Sequence, residues 1–389
     1  MISATASLLL FASLAFNSLA QENETSTERF PASSAIAEGL SPDALAKLDK
    51  LVQSFVDDDD IVGAELLVIK NGKSILHESY GWRDIKAEVK MENDSVFCVR
   101  SMTKPLIGAS ILMLLDDNLL ELDDLVSKYL PSFDVEGSRK ITIEHLLTHT
   151  SGLPMSLIAN SNLEDLEGIQ AVAKLGAGYE LGFEPGSAIN YSDQGTDMLT
   201  AVLEVASGMT AAEFVRTRLL DPLGMQSSAC LMEEENPLRA RGCSKYIGSG
   251  GTWTEFWNTE KPPLFPFFLG SQGLYSTLED YARFMEFWLR KGRVGKDRLL
   301  GSRYVRKALT PSAYPLGGST GFPGLTTNYG FLMELWSQED ADGEKEVVVY
   351  GHTGSDGTHA WAFPEQKAMV LYFTQTRGTI TGLQVEEAL

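Results

Sequence analysis

The spacing of apolar residues changes along this chain, and each change marks an element. Ser41-Pro42-Asp43 supplies a capping serine and an early proline, after which Leu45, Leu48, Leu51, Val52 and Phe55 fall on one stripe of a helix. Val62 to Lys70 is instead an apolar strand run, Asn71-Gly72 is a two-residue hairpin signal, and Lys73 to Tyr80 returns as a second strand. Phe97 to Arg100 leads into an apolar helix reaching about Asn118, and Leu119 to Leu130 carries an acidic, leucine-spaced pattern. Ile141 to Leu153 reads as a helix with a glycine stop, within a stretch from about 120 to 270 that is mostly helices and irregular loops. Leu278 to Leu289 is an amphipathic helix, and closing strands fall at Val347 to His352, His359 to Phe363 and Ala368 to Thr374. Strands at both ends around a helical middle predict an α/β (α+β) fold with a mainly antiparallel sheet flanked by helices. Its sheet comes from about residues 40–118 and 271–389, with a mostly helical lobe inserted at about 119–270.

Composition adds limits. A chain of 389 residues with 43% hydrophobic and 22% charged residues fits one composite globular domain or two intimate ones. The formal charge of −21, from 32 basic and 53 acidic residues, repels phosphate backbones and anionic lipid, so nucleic acid is not an expected partner. The run Asp57 to Asp60 lacks the D-x-D/N-x-D/N-G pattern of a calcium loop and reads as a solvated helix end. Residues 1–20 combine the apolar stretch Leu8 to Ala12 with Ser18-Leu19-Ala20 before Gln21-Glu22, a cleaved secretory signal whose n-region has no Lys or Arg. It predicts export to the periplasm or medium, a flexible leader over 21–38, and the folded domain over 39–389. The stretch is short for a bilayer span and no later segment looks transmembrane, so stable membrane insertion is not expected. Of three cysteines, Cys98 reads as a small core residue; Cys230 and Cys243 are spaced to bridge a short loop, but sequence does not fix their pairing.

The candidate chemistry centres on Ser101 and Lys104. Three residues of helix return side chains to one face, so the Lys104 amine can lie beside the Ser101 hydroxyl, at a helix start whose free N–H groups favour an oxyanion. The spacing alone is weak, since this composition supplies about one S-x-x-K by chance. Tyr191 offers a phenol which, as phenolate beside Lys104, would act as base for Ser101 and later shuttle the proton. His352-Thr353-Gly354-Ser355 ends an apolar strand, and Gly354 removes a side chain that would obstruct a substrate along that edge. His145 and His149 lie one turn apart, but Leu146 stands where a zinc protease needs glutamate, so both read as structural. Gly317 to Gly321 matches G-x-S-x-G around Ser319, with His352 as a conceivable base. The match has Pro315 before it and Pro323-Gly324 after it, where a nucleophile elbow needs a strand and a helix, and reads as a loop. The aromatics of Gly250 to Gly270, Trp253 to Phe268, fit a substrate-pocket wall and ordinary core packing equally.

Ser101-Met102-Thr103-Lys104, Tyr191-Ser192-Asp193 and His352-Thr353-Gly354 together resemble the S-x-x-K, Y-x-N and K/H-T-G elements of the serine β-lactamase and penicillin-binding-protein superfamily. The likeness is nearest to class C-like β-lactamase-related hydrolases, including family VIII carboxylesterases and D-aminopeptidases, and spans about residues 40–376. It implies Ser101 as nucleophile, Lys104 and Tyr191 as proton carriers, and the N–H groups of Ser101 and Ser355 as oxyanion hole. It places Asp193, His352, Thr353 and Gly354 along the substrate, and implies no metal or organic cofactor. Two departures bear on substrate. His352, where many relatives have lysine, lacks a permanent cation for a substrate carboxylate. Asp193, where asparagine is common, would raise the Lys104 pKa, and as a hypothesis would bind a substrate ammonium. The expected reaction is two-step hydrolysis of a small-molecule ester or amide through an acyl-enzyme, with carboxylesterase first and D-amino acid peptidase or amidase, then β-lactamase, as alternatives. A non-catalytic penicillin-binding-like sensor is the reading from a different class. Sequence leaves the oligomeric state open.

Overall fold

The computed structural model describes residues 29–158, 161–314, 321–339 and 345–389. The expected signal segment, residues 21–28 of the leader, and Ser319 of the G-x-S-x-G match lie outside the described residues. The leader expected through residue 38 is tied down from Arg29 onward. Phe30 is buried in the main core, Ala32 bridges to Ser74, and Arg29 Nε donates to Glu286 at 2.9 Å. One aromatic ring in a polar segment supplies the apolar area that composition hid.

Eight strands form an antiparallel sheet in the spatial order Thr326–Tyr329, Glu334–Glu339, Lys345–Gly354, Thr358–Phe363, Ala368–Thr374, Gly63–Lys70, Lys73–Asp84 and Val89–Lys90. The last long strand of the chain pairs with the first, Val68 opposite Val370, so both ends of the sequence meet in the middle of the sheet. This explains the mainly apolar first strand, which is buried on both faces. Leu66 and Val68 pack with Leu48, Val52 and Phe55 of the helix Pro42–Asp57, while Leu67 and Ile69 join the main core on the other face. Ser41 caps that helix by accepting from the Ala44 N–H, and its acidic end Asp57 to Asp60 is exposed. On the opposite face lies the helix Leu278–Leu289, started by Thr277, whose side chain accepts from Asp280 N–H.

Beside the sheet runs the helix Lys104–Asp116, of which every residue from Lys104 to Leu115 is buried. A helix apolar on all sides has to be surrounded, and the helices Asp193–Ser207 and Ala211–Val215 pack on it. The helix stops at Asp116 rather than Asn118, which takes a left-handed φ of 57°. The expected helix from Ile141 to Leu153 shrinks to Ile143–Leu147, because left-handed turns at His149 (φ 56°) and Gly152 (φ 82°) end it. The otherwise helical stretch contains one hairpin, Lys245–Ser249 with Thr252–Trp257, extended by Thr376–Arg377. Trp257, Phe265 and Phe268 are buried in the main core, so the aromatic segment is chiefly packing. The three cysteines are buried free thiols: the Cys230 Sγ–H points to Ala212 O and that of Cys243 to Met91 Sδ. Among the described residues no single helix is long and apolar enough to cross a membrane.

Candidate active site

Ser101 sits in a single 3-10 turn, Arg100–Thr103, that follows the short strand Phe97–Cys98. Pro105 has no N–H to give, so it suits the first turn of the α-helix that starts at Lys104. The three-residue spacing then delivers what it promised: Lys104 Nζ lies 3.1 Å from Ser101 Oγ. The same ammonium donates to Ser271 O at 2.9 Å and pairs with Asp193 Oδ1 at 2.6 Å. Tyr191 completes the cluster, its ring centroid 4.7 Å from Lys104 Nζ. Ser192 positions both neighbours, since it caps the helix Asp193–Ser207 by accepting from Gly195 N–H.

These neighbours decide the charges. Burial would push the Lys104 amine down, but Tyr191 and the Asp193 carboxylate reverse this and raise it above the ordinary value. Burial also raises Tyr191 against the pull of Lys104, so the phenol is protonated at rest rather than the expected phenolate. The resting cluster is therefore an ammonium paired with Asp193 and a phenol, around a neutral serine.

Ser355 follows the strand Lys345–Gly354 and is exposed. Among the described residues its N–H donates to no main-chain carbonyl, and neither does that of Ser101. The two segments touch through Gly354: a Cβ there would lie 2.3 Å from Val99 O, a carbonyl that also accepts from Thr358 Oγ1 at 3.1 Å. Gly354 is thus required by the approach of the Ser101 segment, a closer neighbour than the substrate edge the sequence suggested.

The β-lactamase family model matches residues 48–388 of the chain. The chain belongs to the β-lactamase family. This β-lactamase-family protein is 30% identical over 190 residues to Protein flp of Staphylococcus aureus strain N315, covering 48% of this chain and 38% of that protein. It is likewise 30% identical over 189 residues to Penicillin-binding protein 4* of Bacillus subtilis strain 168, covering 45% and 39%. The matched region is thus well under half the length of these curated relatives. Among solved structures it resembles EstCE1, described as a hydrolase with promiscuous acyltransferase activity, at 22% identity and a TM-score of 0.72, covering 91% of this chain and 99% of that one.

This family member handles two of its motif positions in its own way. His352 is buried rather than presented to a ligand: its Nδ1–H donates to Thr353 O at 2.7 Å, and its Nε2 accepts from Tyr329 O–H at 2.6 Å. Burial and the Lys104 charge push it down to about 3, so the ring is neutral at any working pH. Thr353 is half-buried beside it, in register with His359. Asp193 in turn is committed through Oδ1 to Lys104, which leaves it a partner of the amine rather than a free anion awaiting a substrate ammonium.

Linkage makes the His352 environment testable. The unfolded histidine binds a proton below its ordinary value of 6.5, whereas the folded one resists until about 3, so stability falls as pH drops through that window. The slope is up to about 1.4 kcal/mol per pH unit for one such group. Urea denaturation of wild type and His352→Gln at pH 7 and pH 5 should show a smaller acid loss in the variant. Equal losses would mean that His352 is charged or exposed in the folded protein.

Several site residues had no local signal. His149, read as structural, is buried with its ring centroid 4.7 Å from both Tyr191 and Tyr329, and its Nδ1 accepts from Ser192 N–H at 3.2 Å. It therefore braces the Tyr191 turn, while His145 accepts from Thr142 N–H in a capping box away from it. Asp197 accepts from the N–H and Oγ–H of Ser271 at 3.0 and 3.1 Å, fixing the carbonyl that receives Lys104. Its own carboxyl is pushed up to about 7 by burial and by Asp193. Asp197 was legible in principle, being four residues after Asp193 and hence on the same helix face. A cavity of about 480 Å³ lined by Glu167, Glu204, Cys230, Phe267 and Phe268 contains none of these groups, so its size does not locate the chemistry.

Proposed function

We propose that the protein is a serine hydrolase that cleaves small neutral esters through an acyl-enzyme on Ser101, a carboxylesterase in the first instance. The observation that carries this reading is Lys104 Nζ at 3.1 Å from Ser101 Oγ, backed by Asp193 at 2.6 Å. The neutral, buried His352 supports neutral substrates, because a substrate carboxylate finds no permanent cation at that position. EstCE1, similar in fold, is described as a hydrolase with acyltransferase activity, which is compatible with an ester donor.

With Lys104 an ammonium and Tyr191 a phenol, the Asp193 carboxylate is the acceptor for the proton that Ser101 must lose. As Ser101 Oγ bonds to the ester carbon, its proton moves to Lys104 Nζ and Lys104 passes one to Asp193 Oδ1. The carbonyl π-pair moves to oxygen, which the N–H groups of Ser101 and Ser355 receive. Collapse breaks the bond to the leaving oxygen, which takes the proton back from Asp193 through Lys104. Water then attacks the acyl-enzyme by the same route.

A panel of p-nitrophenyl esters, D-amino acid anilides and nitrocefin, run on wild type and Ser101→Ala, tests the substrate class. Ester turnover should exceed the other two; preference for the anilides or nitrocefin would move the protein to an amidase or β-lactamase reading. Asp193→Asn separates the two roles of that residue. If Asp193 serves Lys104, kcat/KM should fall on the order of 10²-fold equally on neutral and amino-terminated substrates. A loss confined to amino-terminated substrates would restore the ammonium-binding role.

A further inference from the structure

The two N–H groups assigned to the oxyanion belong to segments on different sheets. Ser101 follows the strand Phe97–Cys98, which among the described residues pairs with Tyr275–Ser276 alone, whereas Ser355 follows a strand of the eight-stranded sheet. Among the described residues no ladder of main-chain bonds holds these segments together, yet an oxyanion hole needs its donors aligned to within fractions of an ångström. The side chains that flank the two donors supply the link. Asp356, next to Ser355, is fully buried, and its Oδ2 accepts from Arg100 Nε, next to Ser101, at 2.7 Å.

The rest of this buried cluster is unusual in its charge balance. Lys245 Nζ lies 2.5 Å from Asp356 Oδ2, and Arg377 Nε donates to Oδ1 at 2.8 Å, so three cations converge on one carboxylate. Burial would raise the Asp356 carboxyl, but Lys245, Arg100 and Arg377 hold it far below the usual carboxylate range. Arg100 itself takes φ of 52°, a left-handed conformation that a side chain disfavours and that persists only where surroundings enforce it. Its guanidinium also reaches Gln272 Oε1 at 3.4 Å and faces the Phe265 ring at 5.4 Å. That turn is what aims the Ser101 N–H, and the grip of Asp356 on Arg100 is what maintains it.

The geometry points to Asp356 as a positioning residue of the oxyanion hole, acting through Arg100 to hold the Ser101 N–H in register with that of Ser355. This rests on the serine hydrolase reading and deepens it. Lys245 and Arg377 share the carboxylate but adjoin neither donor, so their part is to keep the cluster compact and not to aim the turn.

The test uses the full chain and two readouts, steady-state hydrolysis of p-nitrophenyl butyrate and the rate at which a fluorophosphonate labels Ser101. Asp356→Asn and Arg100→Lys should each lower kcat and the labelling rate by about 10²-fold, with KM changed less than about threefold. Arg377→Gln should change both rates by less than about fivefold while lowering the melting temperature. Arg100→Lys keeps a buried cation against Asp356, and decides the matter if Asp356→Asn does not fold. The proposal is overturned if folded Arg100→Lys labels at the wild-type rate, or if Arg377→Gln loses as much as Arg100→Lys. Failure of wild type to label at Ser101 would instead remove the hydrolase reading itself.

Discussion

Replacement of Ser101 by alanine should reduce kcat on p-nitrophenyl esters by at least about 10⁴-fold while leaving the fold intact. The size follows from the role: without a nucleophile the remaining groups retain only binding and oxyanion stabilisation, and removal of the attacking residue in such units costs about 10⁶ in the most efficient cases. The fold should survive because Ser101 is half-buried and its hydroxyl accepts one hydrogen bond, from Lys104, which keeps Asp193 and Ser271 O as partners. Circular dichroism and thermal melting check the fold, and mass spectrometry after fluorophosphonate treatment checks the loss of the adduct. Residual turnover within tenfold of wild type would transfer the nucleophile to another residue, with Ser319 the first to examine.

Lys104→Met should cost on the order of 10³-fold in acylation, the middle of the range for a positioned proton-transfer group. Methionine fills the buried channel with a chain of similar length but neither donates to Ser101 nor relays a proton to Asp193. Its stability effect has two opposing parts. A fully buried ammonium is removed, which relieves desolvation, but Asp193 Oδ1 and Ser271 O lose their donor. Asp193 retains some contact with solvent, its side chain being 20% exposed, so the net change in folding stability should be small beside the kinetic loss. Pre-steady-state acylation with a chromogenic ester measures the first quantity and urea denaturation the second. A variant that acylates within tenfold of wild type would exclude Lys104 from the proton path.

Much of the fold could be read directly. The capped helix after Ser41, the hairpin at Asn71-Gly72 and the helix after Thr277 are local features, each made by residues within a few positions of one another. The apolar run of Val62 to Lys70 was legible as a strand, and its pairing with Ala368–Thr374 buries it on both faces. Local reading failed where a left-handed turn interrupts an apolar pattern, as at His149, and where one residue anchors an otherwise polar segment, as Phe30 does.

By itself the sequence determined the S-x-x-K face, the Tyr191 turn and the strand ending at Gly354, because helix and strand periodicity place side chains by short-range geometry. Only the tertiary structure decided what those groups are chemically. It buries His352 against Tyr329 and makes it neutral, sets Asp193 against Lys104, and keeps Tyr191 protonated. It also assembles Asp356 with cations from positions 100, 245 and 377, which no local pattern links. Charge state depends on desolvation and on neighbours within a few ångströms, and those neighbours are chosen by how distant segments pack, not by their order along the chain.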